Sequence, residues 1–451
     1  MKAGSKNLTE GPIIISVLEV AIPIFLSQFL QNLYNSVDSL VVGNFVGKTA
    51  LAAVTSCSDI SRLMTGFFTG LSVGSGVVFS RCFGSGNHKK LHDSIHTSLP
   101  FAAILGAVMA VLGILLSPAM FALVKCPADV LPLSLTYMRI YLIGIFFSSI
   151  YNIMAGVLRA VGDTRTPLYF LVICCTNNIL LDVLFVAVFG MGVAGVALAT
   201  ILSQMVSVFL IGRKMLFTTD VYRVTPRDFH IDPVLLKEVL RLGLPAAVQS
   251  CIIQFSNYLI QGYINMFGAD GMAGIGIAKK LDQYVNEVSL SIGQATAIFV
   301  GQNSGAGKYK RSFKGVRCML LVSCAGILLV SVPVYHFAPQ LASLFNRDPA
   351  VVGIAVAMMR VMLPLYFVSA VHQVTGNAVR GYGYSVSTMF AATFGIVVAR
   401  QIFLFFAMRL APSIRHLYYA WPLGWVFSAM IDLSFYFYIK HKIKKQMASE
   451  S

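Results

Sequence analysis

Residues 13–42 read IIISVLEVAIPIFLSQFLQNLYNSVDSLVV, an apolar run long enough to cross a lipid bilayer as one helix. The run contains a proline, Pro23, and an acidic residue near its far end, Asp38. Polar side chains recur between them and beyond, at Gln28, Asn32, Asn35 and Ser39. Because an ionisable side chain at membrane depth is costly, Asp38 is a candidate functional residue.

The composition is that of a membrane protein. Hydrophobic residues make up 57% of the chain, charged residues only 12%, and the mean hydropathy is +0.76. Soluble domains average about 25% charged residues. The charges lie between long apolar runs, which is typical of a polytopic helical membrane protein. No short apolar stretch with a small-residue cleavage site precedes the first run, so we expect no removable signal peptide.

The net charge of +16 is explained by membrane topology. If the N-terminus is cytoplasmic, most Lys and Arg residues fall in cytoplasmic segments, as at Lys89, Lys90, Lys308, Lys310 and Arg311. The outer loops hold little beyond Lys48, Lys125, Arg347, Arg409 and Arg415. Cytoplasmic loops of membrane proteins are enriched in Lys and Arg. We therefore expect both termini in the cytoplasm, a cell-membrane location and no nucleic-acid partner.

Apolar runs bounded by Gly, Pro or charge predict an all-α protein with twelve transmembrane helices. Their predicted limits are 13–42, 51–81, 93–117, 131–160, 166–189, 193–216, 234–267, 272–303, 315–339, 351–382, 386–410 and 414–440. The one long hydrophilic connection follows the sixth helix. We therefore predict an N-lobe at 1–216, a cytoplasmic linker at 217–239 and a C-lobe at 240–451, with six helices in each lobe.

The two halves repeat each other at a nearly constant offset. Residues 83–90, FGSGNHKK, match 304–311, SGAGKYKR, at an offset of 221, and 158–162, LRAVG, match 379–383, VRGYG, at the same offset. Since each half has an even number of helices, both copies enter the membrane the same way round. This predicts a parallel repeat with a pseudo-two-fold axis along the membrane normal.

Two acids, an amide and a hydroxyl are predicted to share one depth in the N-lobe. Asn178 and Asp182 are four residues apart, hence on one helix face. Asp182 and Thr200 are equally far from the turn at Met191, and Asp38 is as far from Gly47. All four then lie roughly 13 Å below the outer surface. Such oxygens suit Na⁺ or a shared proton, although each residue could instead be satisfied separately by hydrogen bonds between helices.

Over essentially its full length, the chain resembles the multidrug and toxic compound extrusion (MATE) family of efflux transporters, in its bacterial form. The likeness rests on the twelve helices in two halves, on VDSLVVG at 37–43, on the Asn178 and Asp182 spacing, and on FVGQNSG at 299–305. It implies a coupling-cation site for Na⁺ or H⁺ at Asp38, Asn178, Asp182 and Thr200. It also implies that helix one bends at Pro23 when the cation exchanges.

The second half departs from the family pattern. Some members carry acids on helices seven and ten, where this chain has Gln254, Asn257, Gln261, His372 and Gln373. At an offset of 222, Asn32 matches Gln254 and Asn35 matches Asn257, whereas Asp38 matches Ile260. Cation coupling at that level is therefore expected in the first lobe alone.

The polar stripes of helices one and seven are candidates for lining a wet substrate cleft. Their members are Gln28, Asn32, Asn35, Gln254, Asn257 and Gln261. Asp282 and Glu287 on helix eight could contact a cationic substrate, or could instead pair locally with Lys279 and Lys280.

We therefore predict a secondary active antiporter, and not an enzyme, that exports organic, cationic or amphipathic compounds by alternating access. The rival within transport is a flippase for lipid-linked precursors or polysaccharides, and a more distant rival is an intramembrane enzyme. The eight cysteines show no CxxC spacing, so neither disulfides nor a zinc site is expected. We expect no cofactor and no ATPase partner; the expected partners are the lipid bilayer and small organic substrates, and the expected state is a monomer.

Overall fold

The computed structural model describes residues 4–123 and 126–449, except for the side chains of 34–36, 39, 40, 48, 59 and 123. The described residues form helices and loops, without a β-strand among them. The long helices are α1 Ile13–Phe45, α2 Lys48–Gly84, α3 His88–Leu123, α4 Leu131–Ala160, α5 Arg165–Val188, α6 Gly192–Phe217, α7 Pro233–Asn265, α8 Gly268–Gly305, α9 Tyr309–His336, α10 Pro349–Gly381, α11 Ser385–Leu410 and α12 Ile414–Ser449.

Three of these helices change their winding. α5 passes from α-helix at Arg165–Asp182 to π-helix at Val183–Val188, and α11 has a π-helical stretch at Thr393–Ala399. A 3₁₀ turn at Leu363–Leu365 interrupts α10 where Pro364 removes a backbone donor. A short helix, Ala338–Ser343, follows α9.

Each predicted helix is present, with ends that move by a few residues. The largest differences are that α12 continues to Ser449 rather than 440, that α9 begins at Tyr309 rather than 315 and that α3 continues to Leu123 rather than 117. Eleven of the helices are long and apolar enough to span a membrane. The exception, α8, has the length but carries several charged residues, namely Asp270, Lys279, Lys280, Asp282 and Glu287.

The sequence repeat is also a structural repeat. Gly86 and Gly307, which match at the offset of 221, have φ values of 69° and 70° and end α2 and α8 with the same turn. In each turn, the amide that follows the glycine donates to a carbonyl five residues back, Asn87 to Cys82 at 3.1 Å and Lys308 to Asn303 at 2.8 Å. Glycine is required here because this left-handed backbone conformation strains other residues.

The chain forms two compact units. One contains Leu26–Ala247 together with the N-terminal residues up to Asn7, and the other contains Leu8–Phe25 and Val248–Ser451. The chain thus changes unit inside α1, at residue 26, and inside α7, at residue 248; these positions are related by the repeat offset of 222. The lobe limits of 1–216, 217–239 and 240–451 stay a prediction.

Each unit is built around the fourth helix of its half. In the first unit, α4 packs against α2, α3 and α6. In the second unit, the end of α10 packs against α8 and α12. The core of the second unit includes Val17, Val20 and Ile24 from α1, together with Ile260 of α7.

The connection between α6 and α7 is fixed to α3 in the first unit. The Thr225 amide donates to Nε2 of His96 at 2.9 Å, and just beyond the connection Lys90 forms an ion pair with Glu238 in the first turns of α7 at 2.6 Å. Nδ1 of His96 contacts the His92 carbonyl oxygen of its own helix at 2.8 Å, which orients the ring so that Nε2 accepts from the connection. Burial raises the pKa of Tyr222 in the same connection to about 12, so its hydroxyl stays neutral.

Candidate functional site

The structure brings Asp38, Asn178, Asp182 and Thr200 together in the first unit. The Asn178 amide, oriented with its nitrogen toward the acids, donates to Asp38 Oδ1 at 3.0 Å and to Asp182 Oδ2 at 3.2 Å. Its oxygen accepts from the Thr200 backbone amide at 3.3 Å. The carboxyl groups of Asp38 and Asp182 also interact with each other. One amide therefore joins α1, α5 and α6.

This cluster is closed off from the surroundings. Asn178 and Asp182 have no exposed surface, and Asp38 is 8% exposed. Asp182 Oδ1 has no hydrogen-bond partner, so the cluster offers an oxygen that the protein leaves unsatisfied. The Thr200 hydroxyl donates to the Val196 carbonyl of its own helix at 3.0 Å.

Two nearby carboxyl groups cannot both be charged in a buried place without a compensating cation or a proton. The Asn178 amide supplies hydrogen-bond donors to both acids. Carboxylate oxygens in such a place are suited chemically to a small cation or a proton. The π-helical stretch of α5 begins at Val183, immediately after Asp182, and such stretches are frequent at functional sites.

The predicted stripe on α1 falls partly outside the described side chains. Gln28 and Asn32 are half-buried, while the side chain of Asn35 lies outside the part of the structure that is described. Pro23 is buried and belongs, with the start of α1, to the second unit, whereas Gln28 and Asn32 belong to the first.

The predicted stripe on α7 is hydrogen-bonded along its length. Asn257 donates to Gln254 at 3.4 Å, and Gln261 donates to Asn265 at 2.9 Å. Arg400 of α11, a residue that sequence reasoning missed, lies beside this stripe. Arg400 is 1% exposed, and its Nη2 donates to Ser256 Oγ at 2.6 Å and to Asn257 Oδ1 at 3.1 Å. The signal in the sequence was the cost of an arginine inside an apolar segment.

The two candidate acids of α8 have different surroundings. Asp282 accepts a short hydrogen bond from the Tyr366 hydroxyl of α10. Glu287 is buried, at 7% exposure. Lys280 lies over the ring of Phe345 at 5.6 Å, so Asp282 is held by a tyrosine of the neighbouring helix and Lys280 by an aromatic ring.

The comparison with protein families decides the identity of this fold. The sequence model of the MatE family matches residues 23–184 and 245–405, which is more than half of the chain and falls once in each half. The chain belongs to the MatE family. The match confirms the resemblance seen in the sequence.

Two relatives in Bacillus subtilis have names that refer to multidrug resistance. The chain is 30% identical over 379 residues to the probable multidrug resistance protein YpnP of Bacillus subtilis (strain 168), covering 84% of each protein. It is 29% identical over 373 residues to the probable multidrug resistance protein YoeA of the same organism, covering 80% of each.

Solved structures share the fold. A multidrug resistance MATE family transporter of the MOP superfamily, solved in an outward-facing conformation, superposes with a TM-score of 0.91 at 22% identity. The superposition covers 98% of this chain and 100% of that one. This likeness confirms the predicted fold class of twelve transmembrane helices in two lobes. As a MatE family member, the chain is a multi-pass membrane transporter rather than an enzyme, and the family needs no cofactor.

Proposed function

We propose that this MatE family transporter exports organic, cationic or amphipathic compounds across the cell membrane in exchange for inward Na⁺ or H⁺. The observation that carries the proposal is the buried cluster of Asp38, Asn178 and Asp182, in which one amide bridges two carboxyl groups. The names of the relatives, which refer to multidrug resistance, support the substrate class.

The coupling cation would be held in the cluster of Asp38, Asn178, Asp182 and Thr200. The carboxylate oxygens of the two acids would bind it, with the Thr200 hydroxyl beside them, and the Asn178 amide bridges the acids while the cation is absent. Na⁺ is a hard cation that favours such oxygen ligands, and a proton would bind between the two acids. In either case the bound cation neutralises a buried negative charge. Release of the cation restores that charge. The cation-bound and cation-free clusters can therefore stabilise different arrangements of α1.

Pro23 gives α1 a place to respond. Proline removes a backbone hydrogen bond from a helix and permits a kink. The chain passes from one compact unit to the other at residue 26, close to Pro23. We propose that cation binding at Asp38 is linked to bending at Pro23, and that alternating access moves the lobes 1–216 and 240–451, joined by the linker 217–239.

We propose that the substrate contacts polar and acidic side chains of α1, α7 and α8. These side chains are Gln28, Asn32, Asn35, Gln254, Asn257, Gln261, Asp282 and Glu287. We propose that both termini lie in the cytoplasm, which the excess of Lys and Arg in the segments on that side supports. We propose that the working unit is a monomer and needs no ATPase partner.

The test is efflux from proteoliposomes that contain the purified protein and a cationic dye. A Na⁺ gradient and a pH gradient are imposed separately, and the membrane potential is clamped in both cases. We expect one gradient to drive dye movement that is absent from protein-free vesicles. If neither gradient moves the dye but a labelled lipid-linked saccharide crosses the membrane, the protein is a flippase and this proposal is wrong.

A further inference from the structure

A second buried ionisable pair lies in the second unit, where the coupling mechanism makes no use of it. His372 of α10 and Asp432 of α12 meet with Nδ1 and Oδ2 2.7 Å apart. Asp432 has no exposed surface and His372 is 6% exposed. The other carboxylate oxygen of Asp432, Oδ1, has no hydrogen-bond partner. The pair therefore retains an unsatisfied acceptor in a place where acceptors are normally satisfied.

The carboxylate of Asp432 fits a notch in α10. A side-chain carbon at Gly376 would lie only 2.9 Å from Asp432 Oδ2, so the glycine lets the acid approach the helix backbone. His372, Gly376 and Arg380 are four residues apart and share one face of α10. Arg380 is 9% exposed and acts electrostatically on Asp432. This face of α10 thus brings the imidazole of His372, the space at Gly376 and the charge of Arg380 to the Asp432 carboxylate.

Few other charges reach this carboxylate. Among the described side chains, His372 and Arg380 are the titratable or charged groups that act on Asp432. The helices α8, α9 and α11 also pack against α10 or α12 here, and no charged side chain of theirs acts on it. The protonation state of the pair therefore decides the local charge.

Arg380 connects the pair to α7. Its Nη2 donates to Gln249 Oε1 at 2.7 Å, and its Nη1 donates to Asn377 Oδ1 at 2.9 Å. Gln249 lies four residues after Pro245, which occupies the repeat position of Pro23 at the offset of 222. The polar contacts thus run from α12 through α10 to the part of α7 that follows its proline.

We propose that His372 and Asp432 form a second proton-binding site, in the second unit, and that Arg380 and Gln249 transmit its protonation to α7. With one proton shared between a neutral His372 and an ionised Asp432, the charges of the pair and Arg380 cancel. Uptake of one further proton from water at Oδ1 of Asp432 gives the group a net charge of +1 and neutralises the carboxylate that attracts Arg380. No covalent bond forms, and the same proton returns to water when the site empties.

The link to transport rests on the proposed antiport, but proton binding itself does not, and the experiment separates them. The chain has two tryptophans, Trp421 and Trp425, and both lie on α12. Trp425 is seven residues before Asp432, two helical turns away on the same face, and its ring lies 4.8 Å from that of Tyr366 on α10. Intrinsic fluorescence of the full chain in nanodiscs, titrated with pH in the absence of substrate and of Na⁺, therefore reports on this contact.

We expect a single pH transition in the wild-type protein. Asp432→Asn should abolish it, and His372→Gln, which can keep a hydrogen bond but does not titrate, should abolish it or move its midpoint by about one pH unit or more. His416→Gln is the control, because it removes a half-buried histidine from α12, the helix that carries Asp432 and both tryptophans, and its fluorescence should follow pH as in the wild type. Asp38→Asn should also keep the transition, even where it stops efflux.

A second measurement uses the wild-type chain and does not depend on the folding of a variant. Hydrophobic carbodiimides modify protonated carboxyl groups, so labelling of Asp432, read by peptide mass spectrometry, should fall at least tenfold as the pH rises through the transition. A fluorescence titration that is the same in His372→Gln as in the wild type, or labelling of Asp432 that does not change with pH, would overturn the second proton site and leave the first-unit antiport intact.

Discussion

Replacing Asn178 with alanine removes the amide that bridges the two acids of the first unit. Its nitrogen donates to Asp38 Oδ1 at 3.0 Å and to Asp182 Oδ2 at 3.2 Å. These bonds satisfy carboxylate lone pairs while no cation is bound, so the amide competes with the coupling cation. Asn178→Ala should therefore bind the cation more tightly and release it more slowly.

The size of the effect follows from the bonds lost. A hydrogen bond to a charged group contributes about 1.5–3 kcal/mol. The two bonds share one amide and are not independent, so we assign this range to the pair rather than to each bond. Because each 1.4 kcal/mol is a tenfold change in an equilibrium constant, the half-saturating cation concentration should fall about 10- to 150-fold.

The assay is dye efflux from proteoliposomes as a function of Na⁺ concentration or pH, with the maximal rate measured separately. Asn177→Ala is the matched control, since this neighbouring amide donates to Ser203 Oγ at 3.3 Å and not to the acids. We expect a lower half-saturating concentration and a lower maximal rate for Asn178→Ala alone. Equal cation titrations for the two variants, or weaker cation binding in Asn178→Ala, would refute the competition between amide and cation.

Two further predictions concern the scaffold. Gly70→Ala should lower the thermal unfolding temperature in detergent, because the new Cβ would lie 2.5 Å from the Ala246 carbonyl oxygen and such overpacking costs about 1–3 kcal/mol. The control is Gly76→Ala, whose Cβ would meet no atom closer than 3.8 Å and which should have little effect. Equal losses of unfolding temperature in the two variants would contradict this packing. Gln302→Leu removes the acceptor of the Leu8 amide at 2.9 Å, so hydrogen exchange at that amide should become faster; unchanged exchange would argue against this bond as the anchor.

Much of the architecture could be predicted because membrane spans are governed by length and hydropathy. The four residues of the first-unit cluster could be placed at one depth by counting from the outer turns, since a helix rises by a fixed amount per residue. Depth alone does not give the rotation of each helix about its axis. It was the structure that showed the Asn178 amide between the two acids.

The pairs that sequence reasoning missed depend on this rotation. Arg400 meets Ser256, and His372 meets Asp432, across long separations in the chain. Each residue was visible as a costly polar group in an apolar run, but its partner could not be identified without the packing of α7 against α11 or of α10 against α12. The change of unit inside α1 was likewise not visible, because the apolar pattern of that helix is continuous through residue 26.

The central claim is that a coupling cation binds between Asp38 and Asp182. The most direct test measures the cation flux that accompanies substrate movement in proteoliposomes, with Na⁺- and pH-sensitive dyes. The variants compared are Asp38→Asn and, as the control, Asp129→Asn, which changes an exposed acid before α4. The account predicts that Asp38→Asn folds normally but loses substrate-driven cation flux and coupled efflux, while Asp129→Asn keeps both. Coupled flux of wild-type size in Asp38→Asn would contradict it.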